Sequence, residues 1–191
     1  KRGEDYVYFD LQARPVHTVR RRYNGNEKKI WQDKGATNVP LYQLPELVEA
    51  VKQGRVVYLV EGEKDANTLR HEGHVATTAR GGANNFKHAD VSPLQGASVV
   101  AIVDRDKEGD TWAKQVQSKL ANVAASVTFY QAQEHDYSDH YAAGNTVANL
   151  LPYTPPATLT AAAPEPTDNP LARVKSGQWL DTQEFQPLQW A

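Results

Sequence analysis

Two stretches of this chain break from an apolar run directly into acid. Val56 to Asp65 reads VVYLVEGEKD, and Val99 to Asp110 reads VVAIVDRDKEGD. The first sets Glu61 right behind its apolar residues, followed by Glu63, Lys64 and Asp65. The second sets Asp104 there, with Asp106 two positions on. Short continuous runs of this kind, bounded by turn signals, are the pattern of strands buried on both faces of a parallel sheet. In open α/β sheets, ligands and reacting groups gather at the carboxyl ends of the strands. Neighbouring strands ending this way bring Glu61, Asp104 and Asp106 together. Uncompensated carboxylates raise one another's pKa, and a divalent cation relieves that conflict. Hard oxygen ligands suit magnesium, with manganese as its substitute. These three acids are the candidate catalytic and metal-binding set.

Taken singly, each acid has a plainer reading. Glu61 alone is an acid favoured at a helix N-terminus by the dipole. Asp104 and Asp106 alone make a turn salted by Arg105, and Asp136 and Asp139 alone are helix caps. All of them at successive strand ends in one order is what favours the metal. The histidine pairs His71/His74 and His135/His140 lack cysteine partners and are read as surface or packing residues. Lys64 either reaches a phosphate or only neutralises the acids beside it.

The elements around these acids alternate strand and helix. Leu44 to Lys52 carries Leu44, Leu47, Val48 and Val51 on one helical face, with Pro45 near its start and Gly54 past its end. A helix over 64–71 follows the first acidic strand, and a short strand over 75–78 comes next. That strand opens into Ala79-Arg80-Gly81-Gly82-Ala83-Asn84-Asn85. This loop is either a plain turn or a backbone cradle for a phosphate, with Arg80 beside it. Helix 111–120, strand 126–130, the segment EHDYSD over 134–139 and a final helix over 146–151 complete the pattern. The expected fold class is α/β: a parallel sheet covered by helices on both faces.

Ahead of it, 6–11, 16–23 and 27–32 read as a small antiparallel meander with a turn at Asn24-Gly25-Asn26. Arg20, Arg21, Arg22, Lys28 and Lys29 concentrate its charge, with Tyr23 and Trp31 close by. Basic residues interleaved with aromatics hold a nucleic-acid backbone and stack bases; they also make an ordinary solvated face. The net charge of -2 hides this asymmetry. Residues 1–35 hold nine Lys/Arg against five Asp/Glu, whereas 36–150 hold ten against fourteen. The chain has 191 residues and no cysteine, which excludes disulfides and thiolate zinc sites. It has no apolar stretch of membrane-spanning length and no signal-peptide pattern, so a cytoplasmic protein without a membrane partner is expected. With no methionine anywhere, Lys1 reads as an internal starting point of a longer protein.

The order "strand, VEGEKDA; strand, DRDxxGD; strand, DxSD" resembles the TOPRIM domain. This metal-binding module is shared by DnaG-type primases, type IA and II topoisomerases and several nucleases. The resemblance covers about residues 54–152. It implies a TOPRIM, Rossmann-like sheet in which Glu61, Asp104 and Asp106 are catalytic. It also implies that Asp136, and Asp139 close by, add a further acid, so that Glu61, Asp104, Asp106 and Asp136 ligate Mg2+ or Mn2+. The EGEKD form is similar to that of phage and plasmid primase-helicases, and so are the leading meander and the closing LDTQEFQPLQW. The domains expected are a basic β-rich subdomain over 1–43, the TOPRIM domain over 44–152, a linker over 153–170 and, over 171–191, the leading segment of a RecA-like helicase. PYTPPATLTAAAPEPTDNP, at 152–170, holds six prolines, which supports the linker. The implied function is primer synthesis on a single-stranded DNA template from nucleoside triphosphates. Nucleotide and nucleic-acid contacts are then expected from Arg20, Arg21, Arg22, Lys28, Lys29, Lys64 and Arg80. A TOPRIM nuclease and a non-catalytic nucleic-acid-binding module are the alternatives. A topoisomerase needs a nucleophilic tyrosine, and no tyrosine here sits in such a context. The departure from the family is the absence of a cysteine zinc module.

Overall fold

The computed structural model describes residues 3–24, 27–35 and 38–156. The proposed linker beyond Tyr153 to Pro156 and the segment 171–191 lie outside the described residues.

The first three strands form a meander: β1 (Glu4–Phe9), β2 (Pro15–Asn24) and β3 (Glu27–Gln32), all antiparallel in that order. Then come α1 (Leu44–Lys52), β4 (Val57–Leu59), α2 (Glu63–His71) and β5 (Val75–Thr77). They are followed by β6 (Ser98–Val103), α3 (Lys107–Leu120), β7 (Ser126–Gln131), α4 (Tyr137–Ala142) and the short β8 (Leu151–Pro152). The second sheet has the order β5-β4-β6-β7-β8. Its pairs are parallel except for β8, which closes the edge antiparallel to β7. The expected α/β class is what the chain adopts, with that one antiparallel edge added.

The alternation within β6 shows how both faces are used. Val99, Ala101 and Val103 join a core with Leu47 and Ala50 of α1 and Trp112, Ala113, Val116 and Leu120 of α3. Ile102, one step out of phase, joins Ala66 and Leu69 of α2 and Tyr137 of α4 on the opposite face. Tyr6 and Tyr8 of β1 and Val19 of β2 belong to this second core. Tyr42 holds them there by edge-on ring contacts, with centroids 5.1 Å from Tyr8 and 6.4 Å from Tyr6. The small sheet is thereby fastened to the helical face that also carries α2.

Three expectations need correction. The final helix over 146–151 is only a 3₁₀ turn, Val147–Asn149, capped by Thr146 and Asn149. The six-residue α4 lies earlier, inside the EHDYSD segment, because Asp136 caps it. Helix α3 begins at Lys107 rather than Thr111, since Asp106 accepts from the Gly109 N–H at 2.7 Å and starts the helix within the acidic stretch. The loop after β5 is also shorter than expected, turning into a 3₁₀ helix over Ala83–His88.

Candidate metal and nucleotide site

Strands β4 and β6 are adjacent and in parallel register, Leu59 opposite Ala101, so their carboxyl ends emerge side by side. Glu61 is buried there, 7% exposed, and its Oε1 accepts the Asp104 backbone N–H at 3.2 Å. Burial pushes the Glu61 pKa up to about 7 against that hydrogen bond, helped by the charges of Asp106, Asp65 and Glu108. Asp104 is pushed up to about 9, by burial first and then by Glu61, Asp65, Asp136 and Asp106. Asp106 caps α3 through Oδ1, and its Oδ2 lies 3.9 Å from Nε2 of His135. Gly109 makes this turn possible: a Cβ there would collide with the Asp104 carbonyl oxygen.

Asp136 and Asp139, at the start of α4, face a different neighbour. Lys64 Nζ donates to Asp136 at 3.0 Å (Oδ2) and 3.3 Å (Oδ1), and to Asp139 Oδ1 at 3.4 Å. Asp136 Oδ1 also accepts the Asp139 N–H at 2.7 Å as a helix cap. Burial works against the charge on Lys64, but the bond to Asp136 and the charges of Asp136, Asp65 and Asp139 leave its pKa raised. Asp65, 5% exposed, ties α2 to α4 by accepting from Ser138 N at 2.9 Å and Ser138 Oγ at 2.5 Å. Its pKa is raised by burial and by Asp136, with the Ser138 bonds opposing.

The basic residues do not share one surface. Opposed residues of an antiparallel pair lie on the same face. Arg20 opposes Trp31 and Arg22 opposes Lys29, whereas Arg21 opposes Ile30 and Tyr23 opposes Lys28. Arg20, Arg22, Lys29 and Trp31 therefore form one face, with Arg22 stacked 6.0 Å from the Trp31 centroid. All three of these cations are paired, Arg20 with Asp33 at 2.6 Å, Arg22 with Asp5 at 2.5 Å and, more loosely, Lys29 with Glu27 at 3.7 Å. Arg21 lies on the other face, 5.4 Å from the Tyr6 centroid. Arg80 follows β5 and lines a cavity of about 680 Å³ with Asn38, Asn85, His88 and Asp90. Its charge is felt by Tyr8, so it sits where the meander meets the sheet.

Sequence reasoning missed the contacts that hold these parts together. Glu63, 8% exposed, accepts the Tyr8 hydroxyl at 2.7 Å and pins β1 to α2. Ser138 and Asp65 do the same for α4 and α2. Tyr8 carries no local signal of this role. Asp65 had one, since it lies within the acid motif, in the first turn of α2 together with Glu63.

No protein-family model matches the chain, and no curated protein matches it. Solved structures do. A DNA primase domain from Pseudomonas aeruginosa superposes with a TM-score of 0.59 at 20% identity, over 75% of this chain and 48% of that one. A primase from Aquifex aeolicus, with zinc-binding and RNA polymerase domains, superposes at 0.57 and 21% identity, over 72% and 36%. The fold is that of the DnaG-type primase catalytic core. The third primase match is a chain of the bacteriophage T7 assembly of lagging-strand DNA polymerase with primase domains bound to an RNA/DNA hybrid and dTTP. It superposes at 0.54 and 17% identity, over 79% of each chain. This chain spans about half the length of the Pseudomonas primase domain it matches. Among the described residues, no helix of this primase-like fold is long and apolar enough to cross a membrane.

The donor chemistry of Glu61, Asp104 and Asp106 fits a hard dication: oxygen donors only, two of them on largely buried carboxyls at adjacent strand ends. Their spacing is a separate matter. Among the described residues, the group with ligand atoms within 4.8 Å of one another is His135, Asp136 and Asp139. The acids already answered by Lys64 are drawn together, and the acids without that cation stand apart.

Proposed function

We propose that this chain is the metal-binding part of a primase-type nucleotidyl transferase, making primers on single-stranded DNA from nucleoside triphosphates. The observation that carries the reading is the coupled Glu61–Asp104 pair at the adjacent carboxyl ends of β4 and β6. A magnesium or manganese ion held by Glu61, Asp104 and Asp106 would supply the positive charge that phosphoryl transfer needs. In the reaction, the 3′-hydroxyl of one nucleotide attacks the α-phosphate of the next. The new O–P bond forms as the bond to pyrophosphate breaks. Glu61 is the residue we assign to receive the hydroxyl proton. Arg80, on its cavity, is assigned to the triphosphate, and the Arg20/Arg22/Lys29 face to the template. A fused or associated RecA-like helicase is the partner proposed for template delivery.

The test uses the parent protein with single-stranded template, triphosphates and magnesium. Short oligonucleotides are expected, and Asp104→Asn and Asp106→Asn should reduce synthesis by at least about 100-fold. Glu61→Gln should cut synthesis while template binding persists. The same carboxylate suits activation of water, which keeps a nuclease as the second reading. Metal-dependent cleavage without triphosphates, and no templated synthesis, would replace the primase by the nuclease. Binding with neither activity would leave a nucleic-acid-binding module.

A further inference from the structure

The acidic cluster has two ends that differ in one respect. At the Glu61/Asp104 end two largely buried carboxyls face further acids, and no lysine or arginine is among the groups acting on them. At the Asp136/Asp139 end an ammonium group is already in place, with Lys64 Nζ within 3.0 to 3.4 Å of three carboxylate oxygens. Both oxygens of Asp136 are engaged: Oδ2 by Lys64, Oδ1 by Lys64 and by the N–H that it caps. Asp136 is also fixed from behind, because Ser138 of the same short helix is bonded to buried Asp65 on α2, the helix that carries Lys64. A dication on Asp136 has to displace the ammonium or stand against it, with like charges a few ångströms apart in a half-buried site.

We propose that Lys64 is the built-in counter-ion of the Asp136/Asp139 end, so that the cluster takes one divalent ion, at Glu61, Asp104 and Asp106, rather than two. This rests on the metal reading of those three acids. It removes Asp136 from the set of direct ligands and makes it a positioning residue that holds Lys64. Lys64 is then a fixed positive charge beside the metal, answering the Asp136/Asp139 acids whether or not substrate is bound. The close spacing of Asp136 and Asp139 follows from the same cause, since the two aspartates converge on one ammonium.

Counting bound Mn2+ by electron paramagnetic resonance, with manganese alone as the probe, tests this on the full chain. One ion per chain is expected, lost in Asp104→Asn. In the same titration Asp136→Asn should keep the ion, with an affinity loss no greater than the roughly 10–100-fold typical of a group outside direct coordination. Lys64→Met keeps the chain length without the charge and should admit a second ion, which Asp136→Asn in that background removes again. Lys64→Arg should stay at one. Two ions in the parent, or loss of its ion in Asp136→Asn, overturns the proposal. So does a folded Lys64→Met variant that still binds only one. The underlying metal reading fails differently: the parent's ion then survives in Asp104→Asn. If the parent binds none while Lys64→Met binds one through Asp136, Lys64 keeps its role and the Glu61/Asp104 assignment falls. The Asp136→Asn measurement stands even if Lys64→Met does not fold.

Discussion

Glu61 and Asp104 set the pH behaviour of the metal-free protein. Burial and neighbouring acids raise their folded pKa values to about 7 and about 9, from the ordinary 4.5 and 3.8. Over the interval between, the folded state holds protons that the unfolded state has released. Their contribution to stability is therefore full below about pH 4 and is lost as pH rises through about 7 and then about 9. Thermal melts without metal should fall over this window, and Asp104→Asn should flatten the decline. Adding Mn2+ should restore stability most at the alkaline end, because the ion binds the deprotonated acids. An equal metal-induced shift at pH 5 and pH 9 would contradict this electrostatic account.

At the scale of elements, two joints hold the site in shape. The first is the start of α3, where Gly109 lies against the Asp104 carbonyl. Gly109→Ala must move the helix or the Asp104 turn, and overpacking of this kind costs about 1–3 kcal/mol. Denaturant melts should show that loss, with weaker Mn2+ binding alongside it. The second joint is Tyr8 to Glu63, between the meander and α2. Tyr8→Phe leaves a buried carboxylate without its donor, a cost of about 1–3 kcal/mol. Glu63→Gln, which keeps an acceptor for the hydroxyl, should cost less. If Tyr8→Phe melts like the parent, the hydrogen bond contributes nothing and the aromatic packing on Tyr42 carries the joint alone.

For the molecule as a whole, the question is where a phosphate backbone would run. The meander presents Arg20, Arg22 and Lys29 on one face with Trp31, and Arg21 and Lys28 on the other. Replacing Arg20, Arg22 and Lys29 by Gln should weaken single-stranded DNA binding and reduce the salt slope by less than about two, the loss that three unpaired cations give at about 0.7 each on a single strand. The reason is that Asp33, Asp5 and Glu27 already pair with them. Replacing Lys28 alone should leave the slope nearly unchanged. An unaltered slope in the triple variant returns this face to ordinary solvated surface.

Local sequence was enough for the strands and the acids. Continuous β-branched runs such as VVAIV can be satisfied only by burial on both faces, and their abrupt ends put Glu61 and Asp104 at strand termini. The antiparallel meander was equally legible, because alternation and turn residues act within a few positions. Tertiary structure decided the remainder. Whether Asp136 answers a metal or Lys64 depends on α2 and α4 packing side by side, a contact across 72 residues that no spacing in the chain encodes. Asp106 and Asp136 were legible as acids, but their second role as caps moved two helix boundaries. The five basic residues counted as one patch in the sequence; strand pleating sends alternate side chains to opposite faces, and only the pairing with β3 showed which cations share one. A carboxylate's chemistry is written in its residue type, whereas its charge state is set by whichever neighbours the fold brings to it.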